Sequence, residues 1–284
     1  MSVAEILDDL DSRPGSATSL LRTTVGVSLR ELGGWIALPH LLELMAALGV
    51  SAPRARTAVA RVKKRGLLVP EARGKVAGYA LAPDATGMLE RGDRRIYHPR
   101  TMTPDSAWCA LSFSIPENRR DQRHQLRRRL HWIGFGTISP ALWIGPEYLA
   151  DEVEEILGDL GLREYATVLI SEAPRVEGSL AEAVARWWDL DALRAHHEEF
   201  LAQHEADIAP PAEGLGPREA FGRYIRSIDS WRVIPYVDPG LPPELLPADW
   251  PGERSSRLFR TLHEQLAEPS AAFVRQAFMH KTQS

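Results

Sequence analysis

"SAPRARTAVARVKKRGLL", Ser51–Leu68, decides how the chain is read. Six of the twelve residues from Arg54 to Arg65 are Arg or Lys, and none is acidic. Ser51 suits a helix N-cap and Pro53 a first turn. Ala55, Ala58, Val59 and Val62 then follow at i, i+3, i+4 and i+7, which predicts a helix with a thin apolar face. At 100° per residue the opposite face carries Arg56, Thr57, Arg61 and Lys64, flanked by Arg54, Lys63 and Arg65. Small residues inside let such a helix sit close to its neighbours, and cations outside suit a phosphate-lined groove.

The flanking sequence supports the same reading. "SLLRTTVGVSLRELGG" predicts a first helix ending at a Gly-Gly stop, and "WIALP" a short extended piece. In "PHLLELMAALGV", Leu41, Leu44, Met45 and Leu48 give a second helix a core face before Gly49 ends it. After the basic helix, "GLLVPEARGKVAGYALAP" reads as a β-hairpin whose tip carries Arg73 and Lys75. Helix, helix, basic helix and hairpin is the order of a winged helix-turn-helix, with the third helix in the major groove. "DATGMLERGDRRI" is a closing helix.

Charge is distributed accordingly. The 284-residue chain has a net charge of −4, but residues 1–100 carry 15 basic and 10 acidic side chains and the remainder 19 and 28. A field concentrated in one segment binds phosphate there while the rest of the chain stays acidic. With 44% hydrophobic residues there is enough apolar material for real cores. No apolar run reaches the ~18 residues that span a bilayer, and the acidic N-terminus is not a secretory signal. The single cysteine, Cys109, excludes an internal disulfide framework and fits a reducing cytoplasm.

From residue 99 the pattern changes. "AWCALSFSI" is a strand, "ENRRDQRHQLRRRLHWIG" a helix with Leu126, Leu130 and Ile133 inside, and "FGTISPALWIGP" two strands. "EYLADEVEEILGDLG" is an acidic helix and "YATVLISEA" a strand, completing β-α-β-β-α-β, the ferredoxin-like order. Helical patterns follow, then a proline-rich turn and two final helices. The expected fold class is therefore α+β and multidomain: an arm (1–16), a winged helix-turn-helix (17–98), a ferredoxin-like domain for dimerisation or coupling (99–176), and a mainly helical domain (177–284).

Four blocks carry a family resemblance: "ARTAVARVKKRGLL" (55–68) with "GYALAP", "WCALSFSIPENRR" (108–120), "LHWIGFGTISPALWIGP" (130–146), and "WRVIPYVDPGLPPELLPADWPG" (231–252) followed by "LFRTLHEQLAE". In this order they resemble the PaaX-type repressors of phenylacetic acid catabolism. The resemblance implies the three-domain organisation and a cytoplasmic homodimer that represses transcription on double-stranded operator DNA. It also implies release by an aryl-CoA thioester, typically phenylacetyl-CoA. The middle domain is further similar to small CRISPR-associated ferredoxin-like proteins, some of which cut nucleic acid with an aspartate ending the first strand. Here that strand has Ser112 and Ser114 instead.

Individual residues divide by chemistry. Arg54, Arg56 and Thr57, in the N-terminal half of the basic helix, suit base edges: arginine meets guanine bidentately and the threonine methyl meets thymine. Arg61, Lys64, Arg73 and Lys75 suit phosphates, and the flanking Lys63 and Arg65 complete the expected DNA-binding set. In "RRDQRHQLRRR", Arg119, Arg123 and Arg127 share a face that can pair with the acidic helix at 147–159, cover a dimer surface, or receive coenzyme A phosphates. Trp187 and Trp188 are candidates to line an aryl pocket. Among His196, His197 and His204, the last two are seven residues apart, about two helical turns and too far for one ion, so the string predicts a solvated face. No metal or cofactor is expected: "GFGTIS" lacks the glycines of a dinucleotide loop, and no P-loop, zincin or nucleophile-elbow motif occurs. A non-enzyme is expected; the alternatives are an acyl-CoA-acting enzyme with an appended winged helix and an architectural module without effector.

Overall fold

The structure is a computed structural model that describes residues 13–208 and 215–279; most of the expected arm lies outside the described residues. The chain forms two compact units. One comprises Arg95–Glu199 and Val233–Glu253; the other contains the described residues of Asp11–Arg94, Phe200–Arg232 and Arg254–Ser284. The stretch 177–284, read above as one helical domain, is thus divided between them.

In the second unit, α1 (Ala17–Ser28) starts at Ser16, whose side chain accepts from the Ser19 amide at 3.2 Å. After β1 (Trp35–Ala37) come α2 (Leu38–Ala47) and α3 (Ala52–Lys64). Leu41, Leu44, Met45 and Leu48 are buried, as are Ala55, Ala58, Val59 and Val62, so both apolar stripes face the core as their spacing requires. β2 (Leu68–Arg73) and β3 (Val76–Leu81) form an antiparallel hairpin, and β1 pairs with β3 to give the order β1-β3-β2. Trp35 anchors the hairpin: its indole N–H donates to the Glu71 carbonyl at 3.1 Å. It fits because residue 78 is glycine, where a Cβ would lie 2.6 Å from the indole and 2.5 Å from the Ile36 carbonyl oxygen. α4 (Ala85–Tyr97) follows, tied to the end of α1 by a bidentate pair between Arg30 and Asp93.

The same unit includes α9 (Pro217–Trp231) and most of α11 (Gly252–Met279), while the short α10 (Ile234–Val237), between them in sequence, belongs to the first unit. Asp229 of α9, 1% exposed, accepts from Ser19 Oγ at 2.6 Å, Thr23 Oγ1 at 2.8 Å and the Gly15 amide at 2.7 Å. Arg232 stands beside it at 3.4 Å and donates to Ser19 Oγ at 2.8 Å. A buried carboxylate is tolerable only with such satisfaction, so these bonds dock α9 on α1. The two final helices expected from sequence are one: α11 runs through Pro269. The proline removes a single donor, while Leu262 and Leu266 before it and Val274 after it are buried and hold the flanking turns in register.

In the first unit, β4 (Trp108–Phe113), α5 (Arg120–Trp132), β5 (Gly136–Ser139), β6 (Leu142–Pro146), α6 (Ala150–Asp159) and β7 (Ala166–Ser171) follow one another as β-α-β-β-α-β. Their sheet is antiparallel with order β5-β6-β4-β7. Cys109, Leu111 and Phe113 of β4 share a core with Leu126 and Leu130 of α5 and Val153, Ile156 and Leu157 of α6. Trp108 lies on the other face of the pleat. Beyond β7 come α7 (Leu180–Trp187), entered through a capping box of Ser179 and Glu182, and α8 (Leu190–His204).

The histidines of α8 correct an expectation. His197 and His204 are 2% and 5% exposed, not on a solvated face. His197 Nε2 lies 2.8 Å from Asp238 and its ring packs edge-on to Trp250. His204 bridges Asp207 at 3.0 Å and Ser230 at 2.7 Å. Polar partners, one of them only three residues along the chain (Asp207), make these burials possible. His196 is exposed, and no cluster of three metal-ligating side chains occurs among the described residues.

Candidate nucleic-acid interface

The turn before α3 sets the direction in which that helix leaves. Leu48 ends α2, Gly49 takes φ +75°, its amide bonds the Ala46 carbonyl at 3.0 Å, and the Val50 amide bonds Met45 at 3.0 Å. This double closure with a left-handed residue is the Schellman stop, which glycine adopts without Cβ strain. Ser51 occupies the N-cap of α3 with extended backbone, but its hydroxyl makes no cap hydrogen bond. Its carbonyl accepts from Ala55 at 2.9 Å and starts the helix.

All nine residues singled out as nucleic-acid contacts are exposed: Arg54, Arg56, Thr57, Arg61, Lys63, Lys64 and Arg65 on and just after α3, Arg73 and Lys75 on the hairpin. The 13-residue helix is about 20 Å long. With side chains a helix is about 10–12 Å across, which matches a major groove about 12 Å wide. Arg54, Arg56 and Thr57 occupy the first two turns. Arg61, Lys63 and Lys64 fall in the last turn, where cations also complement the helix dipole. The Thr57 hydroxyl donates to the Pro53 carbonyl at 3.1 Å, which commits its proton internally and leaves the methyl for apolar contact. Arg73 is partly engaged, paired to Glu71 at 2.9 Å and lying 4.9 Å over the Trp35 ring. Lys75 stands at the tip between β2 and β3.

The second group of candidates is deployed differently. Arg119 precedes α5 and donates to the Gly161 carbonyl at 3.0 Å while covering the Tyr165 ring. Arg123 donates to the Ile115 carbonyl at 3.3 Å and pairs with Glu117 at 2.9 Å, holding that carboxyl below its ordinary range. Arg127 donates to the Pro140 carbonyl at 2.8 Å and lies over Phe113. The acidic helix α6 instead meets Arg95 through Glu152, Arg129 through Asp159 and Arg163 through Glu154. Trp188 is 7% exposed, donates to the Gly134 carbonyl at 2.9 Å, and lies 6.3 Å from both Trp108 and Trp187 between ring centres. It covers the sheet where Gly136 leaves room: a Cβ there would lie 2.6 Å from the indole. Asp229, absent from the candidates, carried one local signal, an acid on the otherwise apolar stripe of α9 beside Ile225 and Ile228.

Comparison with known proteins agrees along the chain. Family models match residues 16–85 (PaaX-like protein), 101–184 (PaaX protein central Cas2-like domain) and 188–276 (PaaX-like protein C-terminal domain). The transcriptional repressor PaaX of Escherichia coli (strain K12) is 28% identical over 267 residues, which is 92% of this chain and 84% of that protein. The structure of the uncharacterized protein Rv0674 from Mycobacterium tuberculosis superposes with a TM-score of 0.53 at 23% identity, covering 89% of this chain and 97% of the other, and so shares the fold. No helix among the described residues is long and apolar enough to cross a membrane. The chain belongs to the PaaX family.

Proposed function

We propose that this protein is a DNA-binding transcriptional repressor of an aromatic-acid operon of the phenylacetate type. The observation that carries the reading is the exposed cationic face of α3, between a glycine-closed turn and a hairpin with Lys75 at its tip. In this reading residues 17–98 form a winged helix-turn-helix, with α3 in the major groove and the hairpin along the backbone. Two copies contact half-sites of an imperfect palindrome, their dimer axis setting the spacing. The E. coli relative, named as a transcriptional repressor, supports the regulatory role. No catalytic residue is assigned.

The effector class, an aryl-CoA thioester such as phenylacetyl-CoA, follows from the family resemblance. Arg119, Arg123 and Arg127 remain its phosphate candidates, since each guanidinium has five donors and the bonds described above use one or two. Trp187, half-buried, is a better aryl contact than Trp188, whose indole N–H is already committed to Gly134. The effector acts only through unequal affinity for the DNA-competent and DNA-incompetent conformations.

The test is binding of the purified protein to its own promoter fragment, titrated with phenylacetyl-CoA and with free coenzyme A. Tight specific binding released by the thioester alone supports repressor and effector together. Specific binding indifferent to both compounds removes the effector. Absence of specific binding by folded protein overturns the DNA reading.

A further inference from the structure

α9 reaches the turn that launches α3. The Schellman closure of α2 satisfies the carbonyls of Met45 and Ala46 and leaves that of Leu48 outside the helical ladder. Arg226 of α9, 178 residues away along the chain, donates to it from Nη2 at 2.9 Å and braces itself from Nη1 on the Gly222 carbonyl at 3.1 Å. A guanidinium there also meets the negative end of the α2 dipole. Gly222 lets the helices approach: a Cβ at that position would lie 3.2 Å from Arg226 Nη1 and 3.7 Å from the Ala47 carbonyl oxygen. Three residues on, Asp229 fastens the same helix to α1 through Ser19, Thr23 and Gly15. α1 in turn packs against α3. The turn before α3 and the helix beside it are therefore both held from α9.

The consequence is one of leverage. α3 is about 20 Å long, so a 10° pivot at the turn moves its far end by about 3 Å. That is as large as a hydrogen bond and enough to break a bidentate contact to a base edge. Phosphate contacts by long, exposed lysines tolerate such a shift.

We infer that Arg226 is a positioning residue for sequence-specific DNA reading, fixing the turn from which α3 departs without touching DNA itself. The inference rests on the assignment of α3 as the reading helix. Arg226 is exposed, so its replacement leaves the apolar core intact. Arg226→Ala and Arg226→Lys in the full chain are compared with wild type by three measurements: thermal midpoint, affinity for the promoter fragment relative to a scrambled fragment of equal length, and amide exchange at Gly49–Ser51.

For Arg226→Ala the expected result is a fall in discrimination of about tenfold, the scale of one charged hydrogen bond. Non-specific affinity stays unchanged and exchange at the turn becomes faster. Arg226→Lys, which can still reach a carbonyl, recovers most of the discrimination. Wild-type discrimination with wild-type exchange in Arg226→Ala overturns the inference. So does an equal loss on both fragments, which would make Arg226 a phosphate contact. If wild type itself shows no discrimination, the DNA assignment fails by itself, and exchange still decides the grip: faster exchange supports it and unchanged exchange overturns it.

Discussion

Two arginine-rich helices, α3 and α5, have similar composition and opposite deployment. On α3 the inward positions are Ala55, Ala58, Val59 and Val62, and the cations of the outward face are exposed. The arginines at and before α5 reach sideways to the carbonyls of Gly161, Ile115 and Pro140 and cover the rings of Tyr165 and Phe113. A basic run thus says little until the geometry around it is known. Guanidinium groups bridge loops wherever carbonyls lie within reach, and face water or a polyanion where none do. The surroundings of the helix, more than its charge, distinguish a nucleic-acid surface from a structural clasp.

Substitutions on the two helices should therefore fail differently. The largest effect is expected for Arg56→Ala: discrimination between operator and scrambled DNA falls about tenfold or more, the scale of one bidentate base contact, with an unchanged thermal midpoint. Competition binding against operators mutated singly locates the affected base pair, and a uniform loss over all sequences would erase the contrast with the phosphate contacts. Next comes Arg127→Ala on α5, which removes the bond to Pro140 and the cover over Phe113. It should lower stability by about 1 kcal/mol and the melting midpoint by about 2–4 °C, leaving DNA affinity at its wild-type value. Calorimetry beside a binding titration checks both halves.

Lys75→Ala, at the hairpin tip, is expected to weaken operator and scrambled fragments alike and to reduce the salt slope of binding by about one unit. The smallest effect concerns pH. Cys109 lies in the core that Leu126 and Leu130 of α5 help to close, and burial pushes its thiol from 9.0 up to about 12. The unfolded chain ionises first, so this group favours folding below about pH 9 and the advantage declines as pH rises towards about 12. The melting midpoint should be insensitive to this group near neutrality and fall above pH 9, less steeply in Cys109→Ala. Fast alkylation of the native thiol at pH 8 would contradict the burial.

Much of the fold could be read from local signals. Each of α2, α3, α5 and α6 stops at a glycine followed by an apolar residue (Val50, Leu67, Phe135, Leu162), and in each the amide of that residue bonds back into the last turn. The outward face of α3 followed from helical rotation alone, since its apolar partners recur at regular spacing. Three features left little or no local trace. His197 looks solvated because its partner Asp238 is 41 residues away, and His204 because, beside the nearby Asp207, it needs Ser230, 26 residues away. Arg127 has the spacing of a surface cation and gives no sign of the turn carbonyl it holds. Asp229 bonds an amide 214 residues distant, and only its place on an apolar stripe marks it as unusual.

The buried bonds of Asp229 also set an order of events during synthesis. Gly15 and Ser19 leave the ribosome long before α9 exists. At about 5–20 residues per second, their carboxylate partner arrives roughly 10–40 s later. Until then α1 lacks its acceptor, and the turn ahead of α3 lacks the carbonyl clasp from the same late helix. A nascent or prematurely terminated chain therefore carries the basic helix without the parts that aim it. If α3 reads DNA as proposed, such a fragment would retain charge-driven attraction to nucleic acid but lose the rigid presentation that selects a sequence, and a truncated product would be a poor competitor for the operator.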